Sequence, residues 1–177
     1  MDLKKITKPT NLEMLIVFTD LRKYTKLASS QSPMVTFKYI SKIYEIIGDY
    51  IEPAGGSIIK FIGDASLSIF DQENINDKIK ALVSLKEAID QYNEQNYIDS
   101  KIKICAHIGN LTIGFLGTQT DKKLDIIGNE VNVCAQIKTK GFAVTKTVFY
   151  KLNDENRNLF NVHSVQNGIS IHEITRK

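Results

Sequence analysis

Cysteine is scarce in this sequence, and so are long apolar runs and charge of a single sign. Two cysteines, Cys105 and Cys134, are all that 177 residues contain. Each sits in an apolar stretch with no partner at metal-ligand spacing, so they read as buried thiols of a reducing compartment, without chemistry of their own. No apolar run approaches the roughly 18 residues that cross a bilayer, and the opening Met-Asp-Leu-Lys-Lys lacks the hydrophobic stretch of a signal peptide. A cytoplasmic protein with no membrane partner is expected. Charge is nearly balanced, 23 basic residues against 20 acidic ones for a net +3. The lysines are dispersed without interleaved aromatics, which argues against a nucleic-acid partner and leaves room only for a local anionic ligand. Repeats and low-complexity linkers are missing too, so residues 1–177 are expected to form one domain. His107, His163 and His172 stand alone on strand-like segments and read as packing or surface residues.

What is present alternates between strand and helix signals. Met14 to Thr19 is an apolar run of the kind buried on both faces, with Asp20 at its C-terminal end. Ser32-Pro33 opens a helical pattern that carries Val35, Tyr39, Ile43, Ile46, Ile47 and Tyr50 and stops before Pro53. Ser57–Phe61 and Ala65–Phe70 predict a tight hairpin turning at Ile62-Gly63-Asp64. Ile75 to Tyr92 predicts a second amphipathic helix. Ile102–Ile108 and Leu111–Leu116 are expected to pair as strands around Gly109-Asn110, followed by a helix over Glu130–Ile137. Short elements follow at Phe142–Thr145, Thr147–Leu152, Phe160–Val165 and Ile169–Ile174. The inventory predicts an α+β sandwich, a mixed sheet with helices packed on one face.

Two acidic residues stand out. If the strands bearing Asp20 and Asp64 are neighbours, their carboxylates converge at one edge of the sheet. Hard oxygen ligands without histidine or thiolate suit Mg²⁺ or Mn²⁺ bridged to a polyphosphate. The other reading is that both are turn residues satisfying local backbone donors.

Three segments in order, Val17–Ala28 (VFTDLRKYTKLA), Gly55–Phe70 (GGSIIKFIGDASLSIF) and Lys103–Ile137, resemble the catalytic domain of the class III nucleotidyl cyclases. The resemblance extends from about Leu15 to Glu173. It implies a ferredoxin-like βαββαβ core extended to seven or eight strands, and a head-to-tail homodimer with active sites between subunits. It also implies a nucleoside triphosphate as substrate and two divalent metal ions, Mg²⁺ or Mn²⁺. Asp20 and Asp64 match the family's metal-binding aspartates, and Leu21 its backbone carbonyl ligand. Lys60 matches the lysine that reads the base edge, Asp125 its acidic partner, and Asn132 the asparagine that positions the ribose and the transition state. Lys60 with Asp125 favours ATP over GTP; a lysine snorkelling from an edge strand is the plainer reading of Lys60.

The departures matter as much. The family's arginine one turn after the asparagine is Gln136 here, and its late phosphate-binding lysine is Gln166, so two cations are missing. Lys23 stands where the family has glycine, and Lys122 and Lys123 precede Asp125 near a position that is often a phosphate-binding arginine; these lysines are candidate substitutes. Tyr24 and Thr25 either line a phosphate loop or open a helix. Stand-alone domains of this kind are similar to the pyrimidine cyclases of bacterial anti-phage defence, which signal to a separate effector protein. Cyclic CMP or cyclic UMP is therefore an alternative product, and a catalytically weak, nucleotide-binding pseudocyclase is the alternative from another class.

Overall fold

The computed structural model describes Leu3 and residues 6–174, so most of the N-terminal stretch read above for a signal peptide lies outside the described residues. Strand β1 (Thr10–Leu21) is followed by the short helix α1 (Tyr24–Ser29) and by α2 (Pro33–Ile51). The hairpin β2 (Ser57–Ile62) and β3 (Ala65–Phe70) leads to α3 (Ile75–Gln95) and then to the long strand β4 (Ile102–Gly117). These elements form a βαββαβ unit whose strands lie in the order β2-β3-β1-β4, all antiparallel neighbours. The sheet reaches eight strands through β5 (Lys122–Ile127), β6 (Phe142–Thr145), β7 (Val162–Gln166) and β8 (Ile169–Ile174). β6 runs parallel to β4, making the sheet mixed. Three short helices complete the chain: α4 (Asn129–Gln136), α5 (Lys146–Phe149) and α6 (Asp154–Arg157).

The helix signals work as local chemistry dictates. Ser32 caps α2 by accepting from the Val35 amide at 3.4 Å, and Pro33 fills the first helical position, where no amide donor is needed. The buried residues of α2, Tyr39, Ile43, Ile47 and Ile51, recur every four residues and face the sheet.

Period-two alternation along the central strands builds two apolar layers rather than one. Leu15, Val17, Ile104 and Ala106 join α2 and α3 on one face, while Met14, Ile16, Cys105 and Cys134 of α4 join on the other. Helices therefore cover both faces, which corrects the one-face expectation: α2 and α3 lie on one side, α4 on the other. Both cysteines are buried, and the Cys134 thiol donates to the Cys105 carbonyl at 3.0 Å, tying α4 to the sheet.

Residues 102–117 do not form a strand pair. They are one continuous strand, paired with β1 from Ile102 to Ile113 without interruption. Gly109 serves close approach instead of a turn: a Cβ there would lie 2.4 Å from Cγ of Glu130 on α4. The histidines are not isolated either. His163 and His172 face each other across β7 and β8 with ring centroids 4.9 Å apart, and His172 stacks on Phe149. Residues 147–152, read as a short element, supply part of α5.

Candidate active site

Asp20 ends β1 and Asp64 follows Gly63 in the turn between β2 and β3, where Gly63 adopts a φ of 62°. Because β1 and β3 are antiparallel neighbours, with Thr19 opposite Ser66, the two carboxyl groups arrive side by side, close enough to influence each other. The pKa of Asp64 is pushed up to about 6, first by burial and then by the hydrogen bond and charge of Asp20, against the opposing pull of the Asp64 and Leu21 amides. On the other side of Asp20, Lys103 contacts its Oδ2 at 2.5 Å from the directly paired position of β4. Sequence spacing gave no hint of Lys103; only the register of β1 against β4 brings it there. The carboxylate pair is one of oxygen donors alone, and no group of three or more acidic, histidine or cysteine side chains gathers around a possible metal position among the described residues. The donor set fits hard divalent cations whose remaining ligands are backbone oxygen, phosphate and water.

The raised pKa of Asp64 sets a pH dependence. Below about pH 3.8 the group is protonated whether the chain is folded or not. Between there and about pH 6 the folded protein keeps a proton that the unfolded chain releases, so this contribution to stability is lost as pH rises through that window. Above it Asp64 carries its charge beside Asp20 and is most in need of a cation. Mn²⁺ should therefore raise the melting temperature more at about pH 7.5 than at about pH 5. Asp64→Asn should stabilise the metal-free protein at neutral pH by about 1 kcal/mol, after discounting for solvent screening of a partly exposed group. Equal metal stabilisation at both pH values would contradict this reading.

The hairpin carries the second half of the site. Between Ile58 and Lys60 the pairing with β3 shifts by one residue, a bulge at Ile59. Two residues apart on a regular strand, Ile58 and Lys60 would share a face. The bulge instead leaves Ile58 opposite Ser68, toward α2 and α3, and puts Lys60 opposite Leu67, on the side of α4. There Lys60 Nζ meets Oδ2 of Asp125 on β5 at 2.7 Å, both groups being partly exposed. Beside them is a cleft of about 370 Å³ lined by Phe18, Lys60, Leu67, Ile127, Gly128 and Asn132 among others. Asn132 is exposed, and its side chain makes no hydrogen bond among the described residues. Asp20 and Asp64 do not line this cleft. Tyr44 of α2 steadies the hairpin: its ring stacks on Phe61 at 3.7 Å and its hydroxyl donates to the Gly63 carbonyl.

The candidate phosphate residues scatter. Lys23 sits in the left-handed region, at a φ of 63° that favours glycine, and pairs with Asp99 at 2.7 Å. Tyr24 and Thr25 begin α1, and Tyr24 lines an apolar groove with Phe37, Tyr44 and Gly63. Lys122 and Lys123 are exposed at the start of β5, and Lys123 lies 3.5 Å from Asp121. None of these five residues lines the cleft that holds Lys60 and Asn132. Gln166 is committed elsewhere: its amide accepts from the Lys138 backbone N–H at 2.9 Å and donates to the Lys138 carbonyl at 2.7 Å. Gln166→Lys can supply no acceptor for that N–H. It should lower stability by about 1 kcal/mol in a thermal melt without raising turnover.

Comparison with known proteins agrees with this geometry. Residues 6–169 match the family described as adenylate and guanylate cyclase catalytic domain. The chain belongs to that family. An adenylate cyclase of Anabaena cylindrica is 29% identical over 133 residues, covering 71% of this chain and 26% of the relative. The chain thus spans about a quarter of that protein's length. The adenylyl cyclase CyaB of P. aeruginosa superposes with a TM-score of 0.81 at 14% identity, covering 96% of this chain and 97% of that one. An atypical dimeric guanylyl cyclase domain from the fungus Blastocladiella emersonii gives 0.74 at 16% identity, covering 92% and 96%. The fold is that of class III cyclase domains. No helix among the described residues is long and apolar enough to cross a membrane.

Proposed function

We propose that this chain is a nucleotidyl cyclase that converts a nucleoside triphosphate, ATP by preference, into a 3′,5′-cyclic nucleotide and pyrophosphate as a head-to-tail homodimer. The observation that carries the reading is the Lys60–Asp125 pair, a donor and an acceptor held 2.7 Å apart beside a cleft that also presents the unengaged Asn132. A base entering between them replaces their mutual contact with its own acceptor and amino group. Asn132, directed into the cleft, holds the ribose. Asp20, Asp64 and the carbonyl of Leu21 would hold the divalent metals; when bound, these lower the pKa of the ribose 3′-hydroxyl and neutralise the leaving pyrophosphate. The 3′-oxygen bonds to the α-phosphorus, the bond from that phosphorus to the bridging oxygen of the β-phosphate breaks, and the hydroxyl proton leaves to solvent. Because the carboxylate pair and the base cleft are not walls of one cavity within a chain, a complete site takes its metals from one subunit and its base cleft from the other.

A weak cyclase or a nucleotide-binding pseudocyclase is the second reading, favoured by the engagement of Gln166 with the Lys138 backbone and by an uncharged Gln136. Gln136 follows Asn132 by four residues on α4, on the same helical face. Gln136→Arg should raise turnover, by up to about 10²-fold if the guanidinium reaches the transferring phosphate; an unchanged rate would show that position 136 does not face it. The function itself is tested by chromatography of a reaction with ATP and Mn²⁺. A cyclic product that disappears in Asp20→Ala is expected, and a product insensitive to that substitution would refute the assignment.

A further inference from the structure

Under α4 lies a chain of hydrogen bonds that the proposed reaction does not use. The Ile108 amide donates to Thr147 Oγ1 at 3.3 Å, Thr147 Oγ1 lies 2.8 Å from Thr145 Oγ1, and Thr145 Oγ1 lies 2.8 Å from His107 Nδ1. His107 Nε2 then reaches Oε2 of Glu130 at 2.5 Å. The Ile108 amide can only donate and the Glu130 carboxylate accepts, so with each hydroxyl donating onward, Nδ1 accepts from Thr145 and Nε2–H donates to Glu130. Every polar group in the chain is then satisfied, and the imidazole, buried and held at both nitrogens, cannot turn without breaking both contacts.

The far end of this chain is the first turn of α4, where Val131 packs against the apolar layer and its amide donates to the Gly128 carbonyl at 3.2 Å. The N-cap of α4 is Gly128, without a side-chain capping bond, so the usual Ser, Thr, Asp or Asn anchor is missing. In its place, Glu130 packs its stem over Gly109, where a side chain would collide, and fixes its carboxylate on His107. Gly128 and Asn129 line the base cleft, and Asn132 follows Glu130 by two residues on the same short helix. We propose that His107 is a positioning residue for Asn132: acting through Glu130, it sets the first turn of α4 and hence where the Asn132 amide meets the substrate. The inference rests on the role given above to Asn132.

The test is a double-mutant cycle on the homodimer, comparing Glu130→Ala, Glu130→Gln, Asn132→Ala and the Glu130→Ala/Asn132→Ala pair, with thermal melts alongside. Glu130→Ala should lower kcat by about 10- to 100-fold with little change in KM, since a displaced positioning group costs rate. Glu130→Gln keeps an oxygen for the Nε2–H and should stay near wild type. Once Asn132 is already alanine, Glu130→Ala should cost less than about 2-fold. A loss repeated in full in that background, or Gln as damaging as Ala, would overturn the proposal. If the wild-type protein turns over no nucleotide, the cyclase reading fails separately, and the same cycle read on the Kd of α,β-methylene-ATP decides the positioning role by the same criteria. The ¹⁵N shifts of His107 should show Nε2 protonated and Nδ1 bare; the opposite tautomer would also overturn it.

Discussion

Mixing Asp64→Ala protein with Asn132→Ala protein should restore about a quarter of wild-type turnover, although each variant alone retains only a small fraction of it. The arithmetic follows from a two-fold dimer: random exchange makes about half the dimers mixed, and each mixed dimer holds one site with both an intact carboxylate pair and an intact base cleft. The other site of that dimer carries both lesions. The expectation rests on Asp64 lying at the β2–β3 turn beside Asp20, outside the cleft that Lys60 and Asn132 line. A site contained in one chain would give no recovery at any mixing ratio, and activity assays across a titration of one variant into the other separate the two outcomes.

The second large effect concerns the base. Lys60 and Asp125 satisfy each other, so a nucleotide must offer matching groups at both positions to replace what it breaks. Removing one partner leaves the matching group of the base unpaired in the site, and a lost match of this kind costs about 10²-fold or more. Asp125→Ala should therefore lower kcat/KM for ATP by about 10²-fold, and Lys60→Ala by a similar factor. The double variant should fall little further than either single one, because the two act as a unit. Unchanged kcat/KM in both single variants would mean that the pair is a surface ion pair with no ligand to read, and full additivity that the two groups act independently.

Much of this was legible in the sequence because the informative signals were local. The helix opened by Ser32-Pro33, the glycine turn at Gly63 and the apolar run before Asp20 each carry their own physical cause, and all three elements formed where expected. The ferredoxin-like order followed from resemblance rather than periodicity. What escaped was non-local. Gly109-Asn110 imitates a turn, yet the glycine answers to Glu130, a residue 21 positions later on a helix of the opposite layer. The bulge at Ile59 is a mismatch between two strands, invisible in either alone, and it explains how a lysine two residues after a core-facing isoleucine can face the other way. Strand β5 gave too short and too polar a run to stand out, although it brings Asp125 to Lys60. Lys103 reaches Asp20 only through strand register, and His107, read as packing, is the middle of a bonded chain in which the two groups on either side of its ring lie 23 and 38 residues away.

These features share one logic. Each face of the central sheet is apolar where the helices cover it, and the polar groups collect where strands end, bulge or curl back. Asp20, Asp64, Lys60 and Asp125 all occupy such places, and Asn132 stands on a helix held there by Glu130 and Cys134.

The central claim is that two aspartates and a base-reading pair together cyclise a nucleoside triphosphate. Its most direct measurement is product formation from ATP, GTP, CTP and UTP separately with Mn²⁺, resolved against cyclic standards and repeated with Asp64→Ala. The account predicts cyclic AMP as the main product, lost in the variant. A cyclic pyrimidine nucleotide as main product would contradict the base assignment while keeping the chemistry, and no product from any of the four in a folded dimer that still binds nucleotide would contradict the chemistry itself.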